Sequence, residues 1–283
     1  MTSSRVYAAG RSFSDVEYSR VGGQSLRLDA YVPASEDPVP AVIIVHGGAW
    51  VTGDRKHSVE PLFKPLAAAG FAWFSISYRL ANTADPAGLA AMAGSTALLG
   101  NAVEDVRAAV AYVRKHAAEY RIDPNRIALV GESAGAQLAA MAALKPGPGQ
   151  DVSAVVALYC PSDLVSLVQN TAMIPDSIRQ AVRGTAFADI LMTHLRELSP
   201  LYWVHKGAPP FLLIHGTADR LVPFRQSVQF CSALENAGSA CQLVPIEGAG
   251  HGLRWWESDG HSKLYKIEMV HWLSRQLSMP LAD

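Results

Sequence analysis

Short apolar runs without a polar interruption constrain this chain more than any other feature. AVIIV (41–45), IALV (127–130) and FLLI (211–214) contain no residue that could comfortably face water. A strand with one solvated face alternates, whereas a strand covered on both faces reads as a continuous apolar run. Such strands belong to parallel sheets, whose crossover helices lie on either side. Strands are expected near Asp15–Arg20, Ser25–Val32, Ala41–His46, Ala72–Ser77, Arg126–Val130, Ala154–Tyr159, Phe211–His215 and Gln242–Ile246. The first two alternate and are joined by Val21-Gly22-Gly23-Gln24, so they suit an antiparallel edge hairpin. Helices are expected over Ser58–Ala69, Asn101–Tyr120, Ser133–Leu144, Arg225–Asn236 and His261–Leu277. The second has a capping-box spacing at Asn101 and Glu104, with Val103, Val106, Val110 and Val113 on one stripe.

The fold class is therefore α/β: a mostly parallel eight-stranded sheet with helices on both faces, occupying residues 1–283 as one domain. Leu164–Lys206 breaks the rhythm. It carries no convincing strand and has helical patches near Ser177–Val182 and Phe187–Leu198. An insertion of this size reads as a lid or pocket wall, the alternative being ordinary crossover helices with long loops.

Composition removes several functions. The chain has 24 Lys+Arg against 25 Asp+Glu, a net charge of −1, so it lacks the basic surplus that phosphate neutralisation needs, and no nucleic-acid partner is expected. At 49% hydrophobic and 17% charged residues it is a dense-core composition, neither disordered nor coiled coil. The longest charge-free stretch, Pro86–Val103, is broken by proline, glycines and Asn101, so no membrane span is expected. The amino terminus MTSSRVYAAGRSF has no apolar leader segment, which favours the cytoplasm, with a secreted protein lacking its leader as the alternative. Three cysteines make no disulfide framework; Cys231 and Cys241 are expected as buried free thiols, with a Cys231–Cys241 pair as the alternative. No HExxH or paired Cys/His spacing appears, so neither metal nor other cofactor is expected. The oligomeric state is left open, a homodimer included.

Gly131-Glu132-Ser133-Ala134-Gly135 follows IALV and precedes an Ala-rich helix. A strand turning sharply into a helix needs small residues on either side of the turn, and it stands the serine hydroxyl clear of the sheet at a helix amino terminus. A serine hydroxyl needs a base, and an imidazole base needs an anion to hold its tautomer. His251, flanked by glycines in Gly248–Gly252, follows the last strand and is the expected base. His46 and His215, each ending a strand, are expected to support the site from behind. Asp219, in the turn after FLLI, is the expected acid. Asp163 is its rival, with tying down the first turn of the insertion as its other role. His46-Gly47-Gly48-Ala49-Trp50 follows AVIIV, and the amides of Gly47 and Gly48, with that of Ala134, are expected to stabilise an oxyanion. Trp50, Glu132, Trp203, Leu221 and Val222 stand beside these motifs and are expected to line the pocket. Core packing is an equal alternative for each tryptophan, Trp255 and Trp256 included.

With these motifs placed, the chain resembles the serine esterases of the α/β-hydrolase superfamily. It is most similar to the feruloyl/acetyl esterase-like and hormone-sensitive-lipase-like bacterial carboxylesterases. The likeness runs from about Ser25 to Trp272 and is carried by HGGAW (46–50), SYRLA (77–81), the 101–136 segment ending in VGESAGA, SPLYW (199–203), PPFLLIHGTADRLVP (209–223) and GAGHG (248–252). It implies Ser133, Asp219 and His251 as a catalytic triad, Gly47, Gly48 and Ala134 as oxyanion donors, and a small-molecule ester as substrate, with short-acyl or hydroxycinnamoyl esters favoured. Two departures stand out. HGGA replaces HGGG, which puts a side chain at the third position, and Asn82–Gly100 is longer than the family's link after YRL. An arylformamidase-like amidase would use the same machinery, and a catalytically silent binding module would keep only the fold.

Overall fold

The computed structural model describes residues 10–81, 96–170, 185–258, 260 and 262–279. The expected helical patch Ser177–Val182 and most of the long 82–100 link lie outside them.

Eight strands form one sheet in the order β1-β2-β4-β3-β5-β6-β7-β8. They are β1 (Arg11–Val21), β2 (Gln24–Val32), β3 (Val39–Val45), β4 (Ala72–Ile76), β5 (Ile122–Glu132), β6 (Ala154–Leu158), β7 (Phe211–Gly216) and β8 (Cys241–Ile246). The β1–β2 and β2–β4 pairs are antiparallel, and every pair from β4 across to β8 is parallel. The sheet expected from the apolar runs is the one observed, with the hairpin at its edge.

The runs are apolar throughout because both sheet faces are covered. Ala41, Ile43 and Val45 of β3 point into one core, Val42 and Ile44 into the other. Ile127 and Leu129 alternate with Ala128 and Val130 in the same way, as do Phe211 and Leu213 with Leu212 and Ile214. Each larger side chain among them contributes roughly 1.5–3 kcal/mol on leaving water, so a polar residue at those positions would cost at least that. One core is closed by α2 (Thr96–Lys115), α4 (Ala134–Leu144) and α7 (Arg225–Asn236). The other is closed by α1 (Glu60–Ala68), α8 (Leu253–Ser258) and α9 (Ser262–Gln276). A short α3 (Ala117–Tyr120) follows α2, ending on Arg121 in a left-handed conformation. Every residue of α4 is buried, and its run of alanines lets it lie close beneath the sheet.

Two boundaries differ from expectation. Helix α2 is already formed at Thr96, so Asn101 and Glu104 sit inside it rather than capping it. Tertiary contacts override the local signal: Arg79 pairs with the buried Asp105 at 2.6 Å and donates to the Asn101 carbonyl at 3.0 Å, while the valine stripe faces the core. The expected Asn101–Tyr120 helix is also divided, its last turn forming α3, whereas the expected His261–Leu277 helix is α9, with α8 an additional short helix before it.

The insertion contributes α5 (Leu164–Asn170), α6 (Ala186–Glu197) and a 3-10 turn at Pro200–Trp203. Asp163 anchors it: its Oδ1 accepts from the Ser166 amide at 3.0 Å and its carbonyl from the Leu167 amide, the tying role expected for it. Leu164, Leu195 and Leu198 form a small apolar cluster on which Trp50 packs.

The cysteine expectation is corrected. Cys231 of α7 and Cys241 at the start of β8 form a disulfide. The two elements pack side by side after a tight return through Gly238, which brings the Cα atoms to 5.5 Å, within the span a disulfide bridges. Sequence spacing alone could not show that these side chains meet. Cys160 is buried and free. Under denaturing, non-reducing conditions one thiol per chain should react with iodoacetamide. The C231S variant should lose about 3 kcal/mol of stability. Three reactive thiols without reductant would overturn the pairing.

Candidate active site

Four parallel strands deliver loops to the same edge of the sheet, at their carboxyl ends. Such an edge is where ligands bind in open α/β sheets. Between β5 and α4 the chain turns at Ser133 with φ 52° and ψ −120°. A residue with a Cβ is rarely found there, and the strain is of order 1–3 kcal/mol. Packing and hydrogen bonds over-determine the turn. The Ser133 amide donates to the Leu158 carbonyl at 3.0 Å, and its own carbonyl accepts from Ala136 and Gln137. A Cβ on Gly131 would lie 2.4 Å from the Gly135 carbonyl oxygen, and one on Gly135 would lie 2.2 Å from that of Val45. Both positions therefore require glycine.

Ser133 Oγ lies 2.9 Å from His251 Nε2, and His251 Nδ1 lies 2.7 Å from Asp219 Oδ2. The carboxylate can only accept, so Nδ1 carries the proton and Nε2 is left to receive one from the serine. Asp219 is sealed, its side chain wholly buried, while His251 keeps 16% of its side chain exposed toward the opening. Asp219 Oδ1 accepts from the amides of Leu221 and Val222 at 2.8 and 2.9 Å. His215 Nε2 approaches Oδ2 at 3.2 Å and also points at the Val222 carbonyl, while its Nδ1 meets the Ser227 hydroxyl at 2.7 Å. With two acceptors at Nε2, His215 is the Nε2–H tautomer and Ser227 donates to Nδ1. Burial pushes the Asp219 carboxyl up, but the hydrogen bonds from His215, His251 and Val222 outweigh it and hold the group well below the usual carboxylate range. His46 stacks on Tyr78 with centroids 4.4 Å apart, and burial lowers its pKa. Both histidines thus support the site from behind, as expected.

The oxyanion loop departs from expectation. The Gly47 amide donates to Glu132 Oε1 at 2.6 Å and is not free for a ligand. The loop then turns through Gly48, Ala49 and Trp50, all at positive φ. No hydrogen bond claims the amides of Gly48, Ala49 or Ala134 among the described residues. Ala134 is the first residue of α4, where N–H groups have no partner within the helix. The Ala49 amide is thus unclaimed where that of Gly47 is not.

Of the expected pocket residues, Trp50 alone stands beside the insertion's apolar cluster, its indole N–H bonded to Gln137 Oε1 at 2.9 Å. Glu132 turns inward, away from any pocket, to Gly47 and to the Tyr159 hydroxyl. Trp203 lies under Lys145, 3.3 Å from the ammonium, and donates its indole N–H to the Glu197 carbonyl of the insertion at 2.7 Å. Leu221 and Val222 serve through their amides, and Val222 is buried. Trp255 is 62% exposed and Trp256 fully buried. Two participants went unforeseen. Gln137, fully buried, joins Trp50 to the Leu198 carbonyl of the insertion. Tyr159 joins Glu132 to the Leu253 amide. Spacing four residues after Ser133 was the only sequence signal for Gln137, and Tyr159 had none.

A family model described as BD-FAE matches residues 28–234. The chain belongs to the BD-FAE family. That span takes in the Gly47–Trp50 loop, Ser133 and Asp219, and ends before His251. Among curated proteins this BD-FAE chain is similar to esterase LipQ of Mycobacterium tuberculosis, 32% identical over 250 residues that cover 83% of this chain and 55% of LipQ. It is also similar to the probable carboxylic ester hydrolase LipM of the same organism, at 30% identity over 81% of this chain and 53% of LipM. The chain spans about half the length of these relatives. Among solved structures, a truncated carbohydrate esterase from gut microbiota is 27% identical with a TM-score of 0.74, covering 98% of this chain and 99% of that one. Est2 of the planctomycete Thermogutta terrifontis is 25% identical with a TM-score of 0.72, covering 95% and 92%. The fold is that of an α/β-hydrolase.

Asp219 makes acid stability testable. Because its folded pKa is depressed, its charge stabilises the fold above the unfolded aspartate value of about 3.9, and that contribution is lost as pH falls below it. D219N should unfold at lower urea than wild type at pH 7, and the gap should shrink below about pH 4. A gap independent of pH would show that the carboxylate's charge is not what the site holds.

Proposed function

We propose that this chain is a carboxylic ester hydrolase working through an acyl-enzyme on Ser133. The observation that carries the reading is the continuous Ser133–His251–Asp219 hydrogen-bonded chain, set beside the unclaimed amide of Ala134 at a helix amino terminus and those of Gly48 and Ala49 in the loop after β3. Ser133 Oγ attacks the ester carbonyl as its proton passes to His251 Nε2. Asp219 holds the ring and offsets the positive charge that forms. The carbonyl oxygen becomes an oxyanion within reach of the Gly48, Ala49 and Ala134 amides, each contributing about 3 kcal/mol to the transition state. His251 returns the proton to the departing alkoxide. Water then repeats the sequence on the acyl-enzyme, releasing the acid and restoring the Ser133 hydroxyl.

Short acyl groups are the proposed substrates. The Est2 relative has been solved with propionate and with butyrate bound, and here Trp50 and the Leu164–Leu195–Leu198 cluster give the oxyanion loop an apolar neighbour. Ala49 adds a methyl where the family's third glycine has none, which also favours a small acyl group. The insertion acts as a pocket wall, coupled to the loop through Gln137. Feruloyl and acetyl esters of carbohydrates are the finer alternative within the same chemistry.

A panel of 4-nitrophenyl acetate, butyrate and octanoate, methyl ferulate, acetylated xylan and N-formylkynurenine tests the reading. Acetate and butyrate should turn over fastest, a fluorophosphonate should label Ser133, and S133A should lose at least about 10⁴-fold in kcat. Rapid formamide cleavage with negligible ester turnover would instead mark an amidase. A folded chain that does not label would mark a silent binding module.

A further inference from the structure

Among the described residues, Glu132 is the buried carboxylate beside Ser133 that the proposed mechanism does not use. It follows the last apolar residues of β5 and precedes the nucleophile, yet it points into the protein. Oε1 accepts from the Gly47 amide at 2.6 Å, and Oε2 accepts from the Tyr159 hydroxyl at 2.9 Å. That hydroxyl in turn accepts from the Leu253 amide at 3.0 Å, two residues past His251. The Tyr159 ring meets the His251 ring edge-on, with centroids 4.6 Å apart, and meets Trp256 at 5.0 Å. Trp256 donates from its indole to the Gly250 carbonyl at 2.8 Å. Tyr159 is held at φ 39°, a conformation that costs energy for a residue with a bulky side chain. One chain of contacts therefore runs from the loop after β3, through the residue before Ser133, to both sides of His251.

We propose that Glu132 is a positioning residue of this site, its carboxylate and the Tyr159 hydroxyl locking the oxyanion loop and the His251 loop into one unit. The proposal rests on the ester-hydrolase reading and adds to it a residue outside the triad. Among the described residues Glu132 has no Arg or Lys partner, so its burial is a poor choice for stability alone. An apolar residue would have filled the space at lower cost. Gly47 fits this role as well: a Cβ there would lie 2.5 Å from Glu132 Oε1, so only glycine lets the amide meet the carboxylate.

The charge adds an effect that packing would not. Burial raises the Glu132 pKa, opposed by the Tyr159 and Gly47 bonds and by attraction to His251. Tyr78 is the other titratable group that senses Glu132. His251 faces Asp219, Ser133, Tyr159 and Glu132, with His215 beyond Asp219. A second negative charge behind His251 favours the imidazolium. Removing that charge should let His251 release its proton at lower pH.

The test compares wild type with E132Q, E132A and Y159F on 4-nitrophenyl butyrate, measuring kcat, KM, the pH dependence of kcat/KM and the thermal midpoint. E132A and Y159F should lower kcat by about 10- to 100-fold, approaching the loss of an oxyanion donor, with KM nearly unchanged. E132Q keeps an acceptor for Gly47, so it should lose less in kcat, yet its acid limb should move to lower pH. Y159F keeps the charge, and its acid limb should stay. Wild-type kcat in E132A, or losses that track the thermal midpoint with an unmoved acid limb in E132Q, would overturn the proposal. If the Glu132 variants do not fold, G47A attacks the same bond from its other end and should show the kcat loss; wild-type kcat there would overturn it equally. Failure of the ester-hydrolase reading is distinguishable, because folded wild type would then neither turn over the ester nor label with fluorophosphonate.

Discussion

Everything at this site depends on a backbone contact: the β5–Ser133–α4 turn passing against the end of β3. The Val45 and His46 carbonyls lie so near Gly135 that no side chain fits between. That approach sets the oxyanion loop and the nucleophile at a fixed separation. It also forces Ser133 into its strained conformation, which the dense cores on both sheet faces can sustain. A looser core would let the turn relax, and the hydroxyl would leave the line to His251. The fully buried, Ala-rich α4 is part of the same constraint, since larger side chains would push the helix away from the strand ends.

Around this contact the polar groups are arranged in two closed systems. Asp219 is satisfied by two amides and two imidazoles, so a buried negative charge persists without any lysine or arginine. Glu132 is satisfied by one amide and one phenol, and that phenol's ring meets His251. Each carboxylate fixes a loop through backbone N–H groups, which are stiffer partners than long side chains. The insertion is joined to the site through a neutral link, from Trp50 through Gln137 to the Leu198 carbonyl.

Much of this was legible in the residues. The continuous apolar runs marked a parallel sheet because both faces must be dry, and the edge hairpin was marked by alternation. Ser133, Asp219 and His251 were legible because each stands just after a strand, where a loop is free to carry chemistry. That the Gly47 amide is engaged by Glu132 was not legible, because spacing shows that a glycine amide is present but not which way it points. The Asn101 cap failed because Arg79, distant in sequence, holds Asp105 and the Asn101 carbonyl inside a longer helix. The thiol expectation failed because residues ten apart can lie on adjacent or on remote elements with the same spacing.

Local chemistry along the chain by itself determined which runs must be buried, where the backbone must turn sharply, and which side chains have nucleophilic, basic and acidic character. Those properties depend on neighbours a few residues away. Tertiary structure alone decided that the Gly47 amide turns to Glu132, while those of Gly48 and Ala49 are unclaimed among the described residues. It also decided that Glu132 faces inward to Tyr159, that Trp203 packs under Lys145, and that Cys231 meets Cys241. Each of these depends on the direction of a group relative to a distant segment, and such a direction exists only once the parallel strands have brought their ends to one edge.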